Sequence, residues 1–212
     1  MTVWGRCQGR GRCTGVLIEC SIVKASFIRL LALLSCDGPS IAHNEAKILK
    51  DNIHKTILKL QEDDVDTGHF YVQVLDYLRE TAHCLRFISQ PIFEYIDNNH
   101  PPLTGDQQME MTEFAQKVNL FFSDVIQVIK KSDYDKLENV FTSQAALLDE
   151  VTRIKKRQLK RIKKQEVGTK NSVLYLNTLT ETKNLLLYCV NLLKAQRDFV
   201  NYNKSNSNNA SE

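Results

Sequence analysis

Beyond His43 the chain has almost none of the residues that interrupt helices: only Gly68, Pro91, Pro101, Pro102, Gly105 and Gly168 occur there. The segments between them show no strand-like alternation, which excludes the all-β and βαβ classes. Charge of one sign is equally scarce in the body. Residues 41 to 212 hold 23 Lys/Arg against 23 Asp/Glu, so global electrostatics draws this protein to neither nucleic acid nor acidic substrates. Near the start the longest charge-free apolar run is Leu30 to Leu34, with Glu19, Lys24 and Arg29 interrupting what precedes it. That is far short of the roughly 20 residues a membrane-spanning helix requires. Enzyme signatures are missing too: there is no glycine-rich phosphate loop, no nucleophile elbow and no paired Cys and His with an orienting partner. His54, His69 and His100 fall near helix ends or loops, where a histidine caps or faces solvent. A non-enzyme is expected.

Cysteine is rare except at the beginning. Cys7, Cys13, Cys20 and Cys36 lie in the first 40 residues, and only Cys84 and Cys189 lie in the rest. The N-terminal four lack C-x-x-C spacing and have no nearby histidine, so neither a zinc site nor a disulfide framework follows. Cys84 and Cys189 sit singly in helical patterns and read as reduced, small hydrophobes of a cytosolic protein.

What remains is helix. The spacing predicts helices near 43–62, 67–97 (bent or broken at Pro91), 104–131, 133–166 and 169–202. Tyr71, Leu75, Leu78, Ala82 and Leu85 form one apolar stripe. Val118, Phe121, Val125 and Val128 form another, and Leu176, Leu179, Leu186, Val190, Leu193 and Val200 a third. Such stripes must be buried against neighbouring helices, so the fold class is all-α, an elongated bundle of long antiparallel helices. Pro101 and Pro102, after Asn98, Asn99 and His100, enforce a firm stop. Three regions follow: an atypical, poorly structured segment 1–42, a helical domain 43–202, and a disordered Asn/Ser-rich tail 203–212.

Shifting the chain by 101 positions lays Leu78, Glu80, Thr81 and Leu85 on Leu179, Glu181, Thr182 and Leu186, with Leu58-Lys59 on Leu159-Lys160. Two helical hairpins look duplicated.

Longer stretches are more specific. They are Lys50-Asp51-Asn52-Ile53-His54-Lys55-Thr56-Ile57, the run Asp66-Thr67-Gly68-His69-Phe70-Tyr71-Val72-Gln73-Val74-Leu75-Asp76-Tyr77-Leu78-Arg79-Glu80, and Phe93-Glu94-Tyr95-Ile96-Asp97-Asn98-Asn99-His100. Further on come Glu166-Val167-Gly168-Thr169-Lys170-Asn171 and Glu181-Thr182-Lys183-Asn184. Across residues 43–202 these resemble the PhoU-like cytosolic C-terminal domain of Bacteroides-type sodium/phosphate (Na/Pi) cotransporters. The resemblance implies tandem three-helix units, here incomplete, and a regulatory role in phosphate uptake and phosphate homeostasis. It implies a transmembrane phosphate transporter module as partner, a cytoplasmic position at the inner face of the plasma membrane, and no transport by this chain itself. In the family a transporter half precedes this domain. Residues 1–42 carry none of its motifs, so a truncated product is expected.

Two constellations carry candidate chemistry. Asp76, Glu80 and His83 share a helix face at i, i+4 and i+7, and Glu181 is the repeat partner of Glu80. The PhoU-like resemblance implies metal binding at acidic pairs so spaced, and a divalent metal is the one cofactor these residues suggest. Against it, the second copy keeps only Glu181 between Asn177 and Asn184; the competing reading pairs Asp76 with Arg79 on a solvated flank. The second constellation is the run 153–164, with Arg153, Lys155, Lys156, Arg157, Lys160, Arg161, Lys163 and Lys164 around Val151, Ile154 and Ile162. Such a helix suits an anionic membrane surface or an acidic partner. Nucleic acid is the alternative partner and is disfavoured, because no aromatic residue interleaves with the cations. The bland alternative is a solvated helix offset by Glu62, Asp63, Asp64 and Asp66. Pairing of two copies of the chain stays open.

Overall fold

The computed structural model describes residues 65–209, and all four of its long elements are helices: α1 (Val65–Asp97), α2 (Gly105–Lys131), α3 (Leu137–Lys163) and α4 (Thr169–Asn209). The predicted helix 43–62, the segment 1–42, the four N-terminal cysteines, His54 and the acidic Glu62, Asp63 and Asp64 lie outside the described residues.

Pro91 does not break α1, which runs continuously through it. The absent N–H removes one bond to the preceding turn, and that costs a helix far less than losing its packed face. The stop comes where expected. Asn99 adopts a left-handed conformation (φ 51°), and His100 N–H donates to the Tyr95 carbonyl at 3.2 Å. The Tyr95 hydroxyl then donates to the Pro101 carbonyl at 2.7 Å, fastening the loop to the helix it leaves.

Thr104 starts α2 with a capping box. Its hydroxyl accepts from the Gln107 N–H at 3.4 Å, and its own N–H donates to Gln107 Oε1 at 3.0 Å. Two of the orphan donors of the first turn are thereby satisfied. The helix closes at Ser132, again left-handed (φ 51°), and a short 3-10 turn, Tyr134–Lys136, leads into α3.

Neighbouring helices run antiparallel. Between α2 and α3, Glu110 meets Arg161 at 2.9 Å while Lys117 meets Glu150 at 2.7 Å. Between α3 and α4, Gln144 reaches the Leu186 carbonyl at 2.8 Å and Lys155 reaches Thr180 at 2.7 Å. Helix α1 also runs antiparallel to α4, with Thr81 beside Cys189 and Cys84 beside Glu181. The result is an up-down-up-down bundle in which α4 touches all three others.

That placement explains α4. A helix packed from several sides needs apolar residues around its circumference, and Leu185, Leu186, Cys189, Val190, Leu192 and Leu193 are all buried. The stripe read from the sequence supplied only one of these faces. Val118, Phe121, Val125 and Val128 of α2 are buried as expected, joined by Phe114, Phe122 and Ile129. Leu78, Ala82 and Leu85 of α1 are buried too; the side chains of Tyr71 and Leu75 are outside the description.

The 101-residue repeat is visible where α1 and α4 can be compared. Leu78 and Leu179 are both fully buried, as are Thr81 and Thr182 nearly so. Each threonine donates to the carbonyl four residues back, at 2.8 Å in both helices. Helix α4 differs from expectation at its end. Its backbone continues to Asn209, past the predicted limit at 202. No Gly or Pro lies between 169 and 209 to stop a helix already anchored by Phe199.

Candidate functional site

The start of α2, the end of α3 and the start of α4 meet at one end of the bundle, and there the apolar core gives way to polar side chains. Gln107 and Gln158 are fully buried, with Asn171 and Ser172 nearly so. Gln107 Nε2 donates to Gln158 Oε1 at 3.0 Å and to Asn171 Oδ1 at 2.8 Å, while its Oε1 serves the capping box. Gln158 Nε2 donates to the Ser172 hydroxyl at 3.3 Å, which donates onward to the Gly168 carbonyl at 2.9 Å. Each amide is satisfied by another helix, so the network fixes the relative register of three helix ends.

One turn further along α2, Glu110 receives hydrogen bonds from Arg157, Arg161 and the Tyr175 hydroxyl. Its side chain is only 9% exposed. Burial pushes the Glu110 carboxyl up, but the bonds from Arg161, Tyr175 and Arg157 outweigh burial and hold it below the ordinary carboxylate value. Burial likewise opposes charge on Arg161, and Glu110 more than restores it. For Tyr175, burial and the adjoining Glu110 carboxylate both raise the phenol, which stays protonated and donating. These groups form a joint.

This joint divides the basic run. Arg161 is turned inward and Arg157 is held by the same carboxylate while half-exposed. Lys155 donates to Thr180 at 2.7 Å; burial, then the neighbouring Lys183, lowers its affinity for a proton. Lys164 sits 3.5 Å from Glu166. Arg153, Lys156, Lys160 and Lys163 are exposed and make no ion pair among the described residues. Their spacing of three, four and three places them in one line on the side of α3 opposite Leu147, Val151, Ile154 and Gln158, which face the core. Of the expected apolar companions, Val151 and Ile154 are buried, whereas Ile162 is 37% exposed beside Leu159 at 50%.

The candidate metal residues fall between α1 and α4. Asp76 pairs with Arg79 at 2.6 Å, Glu80 with Arg79 at 3.0 Å, and His83 Nδ1 lies 4.0 Å from Glu80. Glu181 turns to Cys84 and to Asn184, whose amide donates to it at 3.4 Å. Among the described residues, no group of three or more His, Cys, Asp or Glu side chains is arranged to hold a metal ion. Burial, then the charges of Glu181 and Glu80, push the Cys84 thiol up to about 12, and burial raises Cys189 as well.

A cleft of about 110 Å³ lies beneath the α2–α3 turn, lined by residues that include Asp124, Lys131, Asp133 and Lys136. That is below the roughly 300 to 1,000 Å³ usual for sites that enclose a drug-sized ligand. No helix of the described residues is long and apolar enough to cross a membrane. Compared with family models, with curated proteins and with solved structures, the chain matches none.

Proposed function

We propose that this chain is a non-enzymatic contact module whose bundle presents a cationic face to a partner. The observation that carries it is the division of the run 153–164. Arg157, Arg161 and Lys155 are engaged within the bundle, which leaves Arg153, Lys156, Lys160 and Lys163 aligned on the surface with no ion pair among the described residues. A line of exposed like charges contributes nothing to the core and is open to an anionic partner outside the bundle.

The class of partner comes from the resemblance of residues 43–202 to the PhoU-like domain of sodium/phosphate cotransporters. On that reading the module regulates phosphate uptake by docking to a transmembrane phosphate transporter at the inner face of the membrane. Crosslinking in the native cell, followed by mass spectrometry, tests it. A polytopic phosphate transporter should be recovered with the chain, and phosphate uptake should change when the gene is deleted. Unchanged uptake and no recovered transporter would refute the transporter assignment.

A further inference from the structure

From the exposed face of α3 we infer a lipid-docking surface: Arg153, Lys156, Lys160 and Lys163, edged by Leu159, seat the bundle on anionic phospholipid headgroups. The inference rests on the contact-module reading and names the surface that module touches. At 1.5 Å per residue the four cations span about 15 Å, a straight line along one helix face. A planar, diffusely anionic partner can engage all four at once. The aliphatic edge narrows the choice. Leu159, 50% exposed, lies at the rim of the cationic face, whereas Ile162, 37% exposed, lies nearer the core side of α3. The bilayer interface rewards cations and flanking aliphatic side chains together, because headgroup charge and acyl boundary lie within a few ångströms of one another. A nucleic acid would gain from the cations alone. No aromatic residue lies between Val151 and Lys163 on which a base could stack.

The joint contributes as well. Because Glu110 holds Arg157 and Arg161, and the Gln107–Gln158–Asn171 network holds the end of α3, the cationic line is presented by a helix that does not have to order on binding. Little entropy is then lost on docking.

Sedimentation of the full-length protein with phosphatidylcholine vesicles, with and without phosphatidylglycerol, is the test. Binding is expected only to the anionic vesicles, with partitioning falling about fivefold for each cation removed and about thirtyfold for Lys156→Gln/Lys160→Gln. Binding should also weaken as salt rises above about 0.1 M. Leu159→Ser should reduce partitioning without changing that salt dependence. The substituted side chains are exposed, so the variants should melt like the wild type. Equal sedimentation with both vesicle types would overturn the proposal. So would a Lys156→Gln/Lys160→Gln variant that partitions like the wild type, or binding of duplex DNA in place of vesicles under the same conditions. The transporter assignment stands or falls separately, on crosslinking, whatever the vesicles show.

Discussion

Replacing Glu110 by alanine removes the one carboxylate on which two arginines and a buried phenol converge. Breaking a buried ion pair by deleting one partner costs about 3 to 5 kcal/mol, because the abandoned charge stays buried. Here the cost is smaller. Arg157, 49% exposed, can turn to water, but Arg161 at 14% cannot do so freely and the Tyr175 hydroxyl loses its acceptor. We therefore expect a loss of about 2 to 3 kcal/mol. Urea denaturation followed by circular dichroism should show it as a midpoint lowered by about 1 to 1.5 M, with an m-value near 2 kcal/mol/M. The pH dependence supplies the sign. A carboxyl held below its ordinary value of 4.5 in the folded state contributes stability that is complete above that pH and is lost as pH falls through the lowered value. The gap between wild type and Glu110→Gln should therefore be widest at neutral pH and close in acid. A Glu110→Ala midpoint within about 0.2 M of wild type would refute the joint as a source of stability.

Other expectations follow from the same geometry. Gln107→Ala removes the side-chain half of the capping box, leaves Asn171 Oδ1 without its donor and leaves Gln158 Oε1 with Arg161 alone, at a cost of about 2 to 3 kcal/mol in chemical denaturation. Phe121→Ala, at a fully buried position of α2, should cost about 3 to 5 kcal/mol. Cys84 and Cys189, both buried with thiols raised by that burial, should resist iodoacetamide in the native protein and label fully in urea, as read by peptide mass mapping.

Much of the bundle was legible from local patterns, because helix limits and apolar stripes are properties of residues three and four apart. The α2 stripe and the stop at Asn98–Pro102 show this. Helix α4 was only half legible: one stripe was read, yet Leu185, Cys189 and Leu192 form a second buried face that exists because α1 packs there. The candidate site divides in the same way. The density of cations from 153 to 164 was plain, but which of them are committed was not, since Glu110 lies 47 and 51 residues from Arg157 and Arg161. Two signals could have been found. Thr104-x-x-Gln107 has the form of a capping box, and Gln158 continues the line of Val151 and Ile154 as a polar residue in a core position. Such a residue implies a buried partner elsewhere in the chain. For Asp76, Glu80 and His83, the helical spacing was read correctly, and the intervening Arg79 draws both carboxylates.

The division of the basic helix into a structural half and a docking half is tested most directly by measuring two variants in two assays. Arg161→Gln should lower the melting temperature and leave partitioning onto phosphatidylglycerol vesicles unchanged, while Arg153→Gln/Lys156→Gln/Lys160→Gln/Lys163→Gln should abolish partitioning and melt like the wild type. If both variants lost stability and binding together, or if the fourfold variant still bound, the two halves would not be separate.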